Sequence, residues 1–378
     1  MIACGFADVR GCKPAFSGKN PVHQCESKIY PCLTLNRFPA TSRRRWFQTG
    51  RHLTGPFGAN SLEAFRFGGT GMGAGTREEV GKLLRGEVLA KVSLRERTTY
   101  RIGGETRLLA CPADLEDLRR LNAYLVENSL PSFVLGGGAN LLVSDRGFPG
   151  MAVHLGRFNR LSFQQGRVVA GAGLVLDEFI KACLRRGLAG LECLSGIPGS
   201  LGGALRMNAG AFGAEISDHL VEVECLDGMG RFKVLKKDEV KFSYRRALRI
   251  RETYITGATF RFPSGCKESL FLIREDILAR RRQRQPWQYP TAGSVFKRPP
   301  GHYAGKLIED AGLKGRVLGR AQISPKHAGI VINLGGARAS DVLGLIRLAR
   351  EEVFRRFGIE LELEQELIGF EGEEIGKS

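Results

Sequence analysis

Residues 194–212 read Leu-Ser-Gly-Ile-Pro-Gly-Ser-Leu-Gly-Gly-Ala-Leu-Arg-Met-Asn-Ala-Gly-Ala-Phe, with five glycines and a single charge, Arg206, in nineteen residues. A solvated linker would be richer in Ser, Lys and Glu. An ordinary helix would lose about 1 kcal/mol at each interior glycine. The stretch therefore reads as backbone that turns tightly and approaches something closely, with peptide N–H groups free to point at it. Glycine meets both demands because it has no Cβ and reaches positive φ without strain. Phosphate is the usual target of such backbone.

A second glycine loop lies upstream. Arg107-Leu108-Leu109-Ala110-Cys111 reads as a short strand. Residues 114–128 read as a helix, with Leu115, Leu118, Leu121 and Leu125 on one face. Ser132-Phe133-Val134-Leu135 returns as a strand and runs into Gly136-Gly137-Gly138-Ala139-Asn140. This is a βαβ unit delivering a glycine loop. It has neither the GxGxxG spacing of a dinucleotide fingerprint nor the GK[ST] of a P-loop. A triple glycine alone is equally a tight turn; two glycine-rich loops in one domain point to a dinucleotide-sized ligand.

Further elements follow from the pattern. Residues 98–104 read as a strand entering a double-glycine turn, and 176–186 as a helix stopped by Gly187. Residues 221–226 and 254–262 read as antiparallel strands, followed by a boundary at Ser264-Gly265 and a basic helix over 268–284. A helix over 304–315 ends in glycine turns, and Val331-Ile332-Asn333 is a strand. Ser340 is the expected N-cap of a helix to Phe357, with Val342, Leu345, Ile346, Ala349, Val353 and Phe354 inward. Residues 360–368 read as the last strand.

Three motifs carry a family likeness: Gly136-Gly137-Gly138-Ala139-Asn140-Leu141-Leu142-Val143, Ser195-Gly196-Ile197-Pro198-Gly199-Ser200-Leu201-Gly202-Gly203-Ala204, and Met207-Asn208-Ala209-Gly210-Ala211. Over about residues 80 to 370 the chain resembles the UDP-N-acetylenolpyruvoylglucosamine reductases, flavoenzymes that complete UDP-N-acetylmuramate in bacterial cell-wall synthesis. The resemblance implies an α+β protein. A two-subdomain FAD-binding fold of the vanillyl-alcohol-oxidase/p-cresol-methylhydroxylase type would span 76–150 and 151–264. A C-terminal α/β substrate-binding domain would span 265–370, before a tail at 371–378. It implies FAD held by Gly136, Gly137, Gly138, Ala139, Asn140, Ser195, Gly196, Ile197, Gly199, Ser200, Gly203, Ala204 and Asn208, with NADPH as hydride donor. Some relatives attach flavin through histidine; neither glycine loop contains one, so the expected FAD is non-covalent.

Reducing an enol ether requires a hydride at one alkene carbon and a proton at the other. The flavin supplies the first; the protein must stabilise the charge that builds up and supply the proton. By resemblance, Arg245 in Phe-Ser-Tyr-Arg stabilises the enolic intermediate and Ser294 in Ala-Gly-Ser-Val-Phe-Lys-Arg-Pro protonates it. Glu364 assists, with Glu362 as the alternative, because Leu363 and Gln365 depart from the family's residues. Arg246-Ala247 departs too, since the family favours a small residue and then serine there. Read without the motif, Arg245 is one solvated arginine among several and Ser294 a turn serine. Tyr244, Lys297 and Arg298 are the candidates for contacts to the anionic nucleotide-sugar substrate. No inserted loop fits between Arg245 and Ser294, as in the family's shorter form.

Charge has to be weighed against this reading. The chain holds 57 Lys and Arg against 39 Asp and Glu, a formal +18. The excess is dispersed, without the basic stripe and interleaved aromatics of a nucleic-acid module, and a basic surface equally suits a phosphorylated small substrate. Nine cysteines show no CxxC pair and no zinc spacing, so reduced thiols, no metal and a cytoplasmic location are expected, as a monomer without a membrane span. Residues 1–75, with ten Lys and Arg against three Asp and Glu, read as a disordered extension or an over-extended start, with Met72 as an alternative first residue and a transit segment conceivable. The rivals are another flavin oxidoreductase, such as an oxidase, and a non-catalytic basic nucleotide- or nucleic-acid-binding protein.

Overall fold

The computed structural model describes residue 73 and residues 75–370. The expectations for the rest of 1–75 and for 371–378 lie outside the described residues.

The βαβ unit forms as the sequence dictates. Strand Glu105–Cys111 leads to helix Leu115–Glu127 and on to strand Ser132–Leu135. The Asp114 carboxylate starts the helix by accepting the N–H groups of Glu116 and Asp117 at 3.0 and 3.1 Å, a cap worth about 1 kcal/mol. Leu118, Leu121 and Leu125 turn inward and are at most 1% exposed. Strand Phe148–His154 lies between the two strands and runs parallel to both. Glu87–Ser93 adds an antiparallel edge to the sheet.

This edge strand replaces the one expected over 98–104. That segment is irregular, with φ of 54° at Arg101 and 124° at Gly103 breaking any extended run. Its Tyr100 and Ile102 are buried in a different core, beside Leu307, Leu345 and Val353. Thr99 N–H donates to Gly138 O at 3.1 Å, which ties the segment to the first glycine loop.

A five-stranded antiparallel sheet follows, in the order Phe232–Lys236, Leu220–Leu226, Tyr254–Phe260, Arg167–Gly171, Leu161–Gln164. Helix Leu176–Leu184 covers it, burying Phe179, Ile180, Cys183 and Leu184. Helix Lys267–Arg284 packs on the same core through Leu270.

The second glycine stretch contains a helix after all. Leu201–Arg206 is helical, with Ser200 Oγ accepting from Gly203 N–H at 3.2 Å. Gly202 is tolerated there because of close approach: a Cβ would stand 2.9 Å from the Cβ of Ala172. Packing thus outweighs propensity.

The C-terminal part sets helices Ala304–Asp310 and Ala339–Phe357 with a three-stranded antiparallel sheet, Val317–Leu318, Ala321–Ile323 and Val331–Asn333. The long helix is capped differently from the expectation. Ser340 lies within its first turn, and the Asp145 carboxylate accepts Ala339 N–H at 2.7 Å and Ser340 N–H at 3.0 Å. A carboxylate reaching across from another element does the work a local serine would have done. Phe354, expected inward, is 55% exposed, whereas Val342, Leu345, Ile346, Ala349 and Val353 are buried.

The last strand is also shorter than 360–368, reaching only from Glu366 to Ile368. It pairs in parallel with Leu141–Val143 just after the first glycine loop. The end of the chain is thereby brought back against the βαβ unit.

Candidate active site

A cavity of about 690 Å³ opens where these parts meet. One wall is glycine backbone, from Gly136, Gly137, Gly199, Gly202 and Gly203, with Ser200 among them. The two loops touch so closely that a Cβ on Gly137 would stand 2.5 Å from the Gly199 Cα, and one on Gly136 would stand 2.6 Å from Ser200 Oγ. No side chain fits between them. Phe133, Leu135, Leu155, Val175 and Ile255 give the cavity an apolar wall. Arg206, Arg245, Arg246, Arg251, Lys297 and Arg350 bring positive charge to it.

Of the residues expected at a cofactor, Gly136, Gly137, Gly199, Ser200 and Gly203 line the cavity. The others hold the loops from behind. Gly138 has φ of 61°, and a Cβ there would meet Arg97 O at 2.1 Å. Ala139 lies against Gly199, and Asn140 Nδ2 donates to Glu364 O at 2.8 Å. Ser195 is fully buried, and Gly196 N–H donates to Asp177 Oδ1 at 3.1 Å. Ile197 and Ala204 join the core under the five-stranded sheet. Asn208, also fully buried, donates to Glu215 Oε2 at 2.6 Å and Ser243 O at 3.2 Å.

Of the three residues expected to carry chemistry, Arg245 and Glu364 meet. Phe242–Ser243 and Arg246–Ala247 form a tiny hairpin whose turn is Tyr244-Arg245. It aims Arg245 at Glu364, Nε to Oε1 2.8 Å, with the side chains 21% and 13% exposed. The Nε–H is not directed along that contact, so the pair is an ion pair without hydrogen-bond alignment there. Burial pushes the Glu364 carboxyl above its ordinary value, and Arg245 and then Lys297 only partly offset this.

Ser294 does not line the cavity; it is exposed on the neighbouring segment. Val295, next to it, accepts Glu364 N–H at 2.9 Å, and Phe296 bridges Leu363 antiparallel. Backbone pairing therefore sets Ser294 and Glu364 on adjacent segments.

Glu362 is different: its side chain is 74% exposed and pairs with Lys297. Tyr244 accepts Arg298 N–H at 3.4 Å and lies under the Arg245 guanidinium, while Arg298 stacks over Tyr303 at 4.6 Å.

Several residues at the site escaped the sequence reading. Arg206 pairs with Glu366 at 3.0 Å; as the single charge in 194–212, it carried a signal that passed unused. Arg251 and Arg350 line the cavity with no motif around them. Asp177 and Arg274 form an ion pair behind the second glycine loop, and nothing in a one-dimensional pattern joins residues so far apart.

Residues 106–236 match the family described as FAD binding domain. Glycine backbone for a diphosphate, an apolar wall for a ring system and free cations are what such a cofactor needs, so the donor set fits FAD.

Residues 285–368 match the UDP-N-acetylenolpyruvoylglucosamine reductase C-terminal domain family. The reductase of Caldanaerobacter subterraneus subsp. tengcongensis is 42% identical over 288 residues, 76% of this chain and 95% of that one. That of Clostridium novyi is 37% identical over 288 residues, 76% of this chain and 94% of its own. The crystal structure of the reductase from Thermus caldophilus superposes with a TM-score of 0.65 at 35% identity, covering 75% of this chain and 99% of that one. The chain belongs to the UDP-N-acetylenolpyruvoylglucosamine reductase family.

Proposed function

We propose that the cavity reduces the enol ether of UDP-N-acetyl-3-O-(1-carboxyvinyl)-glucosamine to UDP-N-acetylmuramate, with Arg245, Glu364 and Ser294 as its working groups. The protein is an NADPH- and FAD-dependent oxidoreductase of peptidoglycan precursor synthesis, as its family membership gives. FAD, when bound, relays a hydride from NADPH to the alkene.

The observation that carries the residue assignment is the Arg245–Glu364 pair on the cavity wall, beside the segment bearing Ser294. Hydride addition to one alkene carbon leaves negative charge spread towards the substrate carboxylate, and a fixed guanidinium is suited to it. Arg245 is placed for this. Ser294 then delivers the proton to the other carbon. Glu364 keeps Arg245 oriented, and its raised affinity for a proton makes it a nearby source to replenish the serine. Exposure and the Lys297 contact argue against Glu362 in that role. Lys297, Arg298 and Tyr244 contact the substrate diphosphate. Segments 76–150 and 151–264, with helix Lys267–Arg284 against them, hold the cofactor, and the remainder up to 370 receives the substrate. The reading carries with it a cytoplasmic monomer, which size-exclusion chromatography with light scattering would check.

The test is spectroscopic. Purified protein should be yellow, NADPH should bleach it anaerobically, and the enolpyruvyl nucleotide should restore the colour. Bleached enzyme that stays reduced in the presence of the substrate rejects the assignment. Rapid reoxidation by oxygen alone would instead favour an oxidase.

A further inference from the structure

The C-terminal segment presents three glutamates at alternate positions, and each meets a cation from a different part of the chain. Glu362 pairs with Lys297, Glu364 with Arg245, and Glu366 with Arg206. These pairs neutralise half of the positive charge on the cavity wall. Among the described residues, Arg246, Arg251 and Arg350 have no ion-pair partner. Arg246 is exposed and needs none. Arg251 is different: it is half-buried, and its own carbonyl is held by Arg206 Nη1 at 3.1 Å. Burial first, and then the charge of Arg206, make its positive form costlier than in water, and the fields of Glu366 and Glu252 only partly offset this. Glu252, next in the chain and on the same wall, makes no ion pair with it.

A guanidinium kept in such a place without a carboxylate in direct contact implies an anion the polypeptide does not supply. Position tells which anion. Arg251, Thr253 and Ile255 lead along one wall into strand Tyr254–Phe260. Thr256 O in that strand accepts Ala172 N–H at 3.1 Å, and Ala172 O accepts Gly202 N–H at 2.8 Å. Arg251 thus belongs to the glycine wall at the cofactor side, whereas Lys297, Glu362 and Ser294 define the reaction side. We propose that Arg251 binds the diphosphate of FAD as its charged side-chain ligand, complementing the glycine backbone. A planar guanidinium suits phosphate oxygens because it can offer two parallel N–H donors. This rests on the reading that the cavity holds FAD.

The experiment compares holoenzymes of the wild type, Arg251→Met and Arg251→Lys. Release of flavin on dilution is followed by fluorescence at low and high salt, and anaerobic bleaching is followed with NADPH and with NADH. One charge-assisted hydrogen-bonding ligand lost corresponds to roughly ten- to a hundredfold faster release in Arg251→Met. Arg251→Lys should recover most of the retention, and the wild type's salt sensitivity should shrink in Arg251→Met. The preference for NADPH over NADH should stay unchanged. Wild-type flavin retention in Arg251→Met overturns the proposal. A collapse of the NADPH preference with unchanged flavin release also overturns it, and assigns Arg251 to the dinucleotide's extra phosphate instead. If Arg251→Met does not fold, Arg251→Gln, checked by circular dichroism, takes its place. A wild type that is colourless when purified and takes up no added FAD would fail the underlying reading rather than this one.

Discussion

Arg245 reaches Glu364 at 2.8 Å from a backbone held at φ 55°, a left-handed conformation that a side chain with a Cβ adopts only at a cost. Turn and ion pair belong together. Register pairs Ser243 with Arg246, leaving Tyr244 and Arg245 as the two turn residues of the hairpin. Glycine would be the easy occupant of the second position. An arginine held there is evidence that its head group matters more than the local strain.

That strain can be measured by deleting the head group in two ways. Arg245→Ala and Arg245→Gly both remove the guanidinium, and only the second relieves the backbone. In urea unfolding, Arg245→Gly should be more stable than Arg245→Ala by about 1 kcal/mol. Both should bleach with NADPH and reoxidise poorly with substrate. An alanine variant as stable as the glycine one would show that the turn carries no strain.

Glu364 ties stability to pH. Its folded-state affinity for a proton is raised above the ordinary value of 4.5, first by burial. The folded protein therefore holds that proton more tightly than the unfolded chain does. Its contribution is fully present below about the ordinary value and is lost as pH rises through the raised one. Glu364→Gln keeps the shape and removes the titration. The melting temperature of the variant relative to wild type should climb smoothly as pH rises from about 4 to 7. A difference that is flat across this range would mean that Arg245 fully compensates the buried charge.

Ser294 divides the catalytic cycle. Its segment is fixed to that of Glu364 by backbone bonds, Glu364 N–H to Val295 O at 2.9 Å and Lys297 N–H to Glu362 O at 2.9 Å. Removing one hydroxyl should leave this pairing intact. Stopped-flow absorbance of Ser294→Ala should show bleaching by NADPH at the wild-type rate and reoxidation by substrate slowed about 10²- to 10⁴-fold. Equal slowing of both halves would make the serine structural.

The legible parts of the fold were those where a local rule and the tertiary structure agree. The spacing of Leu118, Leu121 and Leu125 declared the helix of the βαβ unit, and the structure buries those leucines. Residues 98–104 misled because Tyr100 and Ile102 are apolar for the sake of a core built mostly from residues after 290. Alternation there reported burial, not pleat. Ser340 misled for a related reason: the cap came from Asp145, nearly two hundred residues away. At the site, the glycine loops and Arg245 announced themselves through composition and motif. Glu364 was one of four alternating glutamates, and only the fold separates it from Glu362, by burial against exposure. Arg251 had no local signal, since an unpaired cation is defined by what surrounds it in space.

Asp177 and Arg274 form the support that no pattern revealed. Arg274 Nη1 and Nη2 donate to the two Asp177 oxygens at 3.1 and 2.9 Å, and Oδ1 also takes Gly196 N–H at 3.1 Å. Helix Lys267–Arg284 is thereby clamped to the start of the second glycine loop. Burial would push the Asp177 carboxyl up, but Gly196, Lys181 and Arg274 together hold it below its ordinary 3.8. The unfolded chain therefore binds that proton more tightly. The stabilisation is present above about the unfolded value and is lost as pH falls through the depressed one. Arg274 is 6% exposed, so removing its partner leaves a buried charge uncompensated. Asp177→Asn should destabilise the protein by about 3 kcal/mol at pH 7, and the gap from wild type should close as pH falls below the ordinary aspartate range. Flavin should leave the variant faster while the NADPH-to-NADH preference holds, because the clamp sets the loop and touches no dinucleotide phosphate. A gap that stayed constant with pH would remove Asp177 from the clamp and leave Gly196 to be held by packing against Leu278, Arg281 and Trp287 alone.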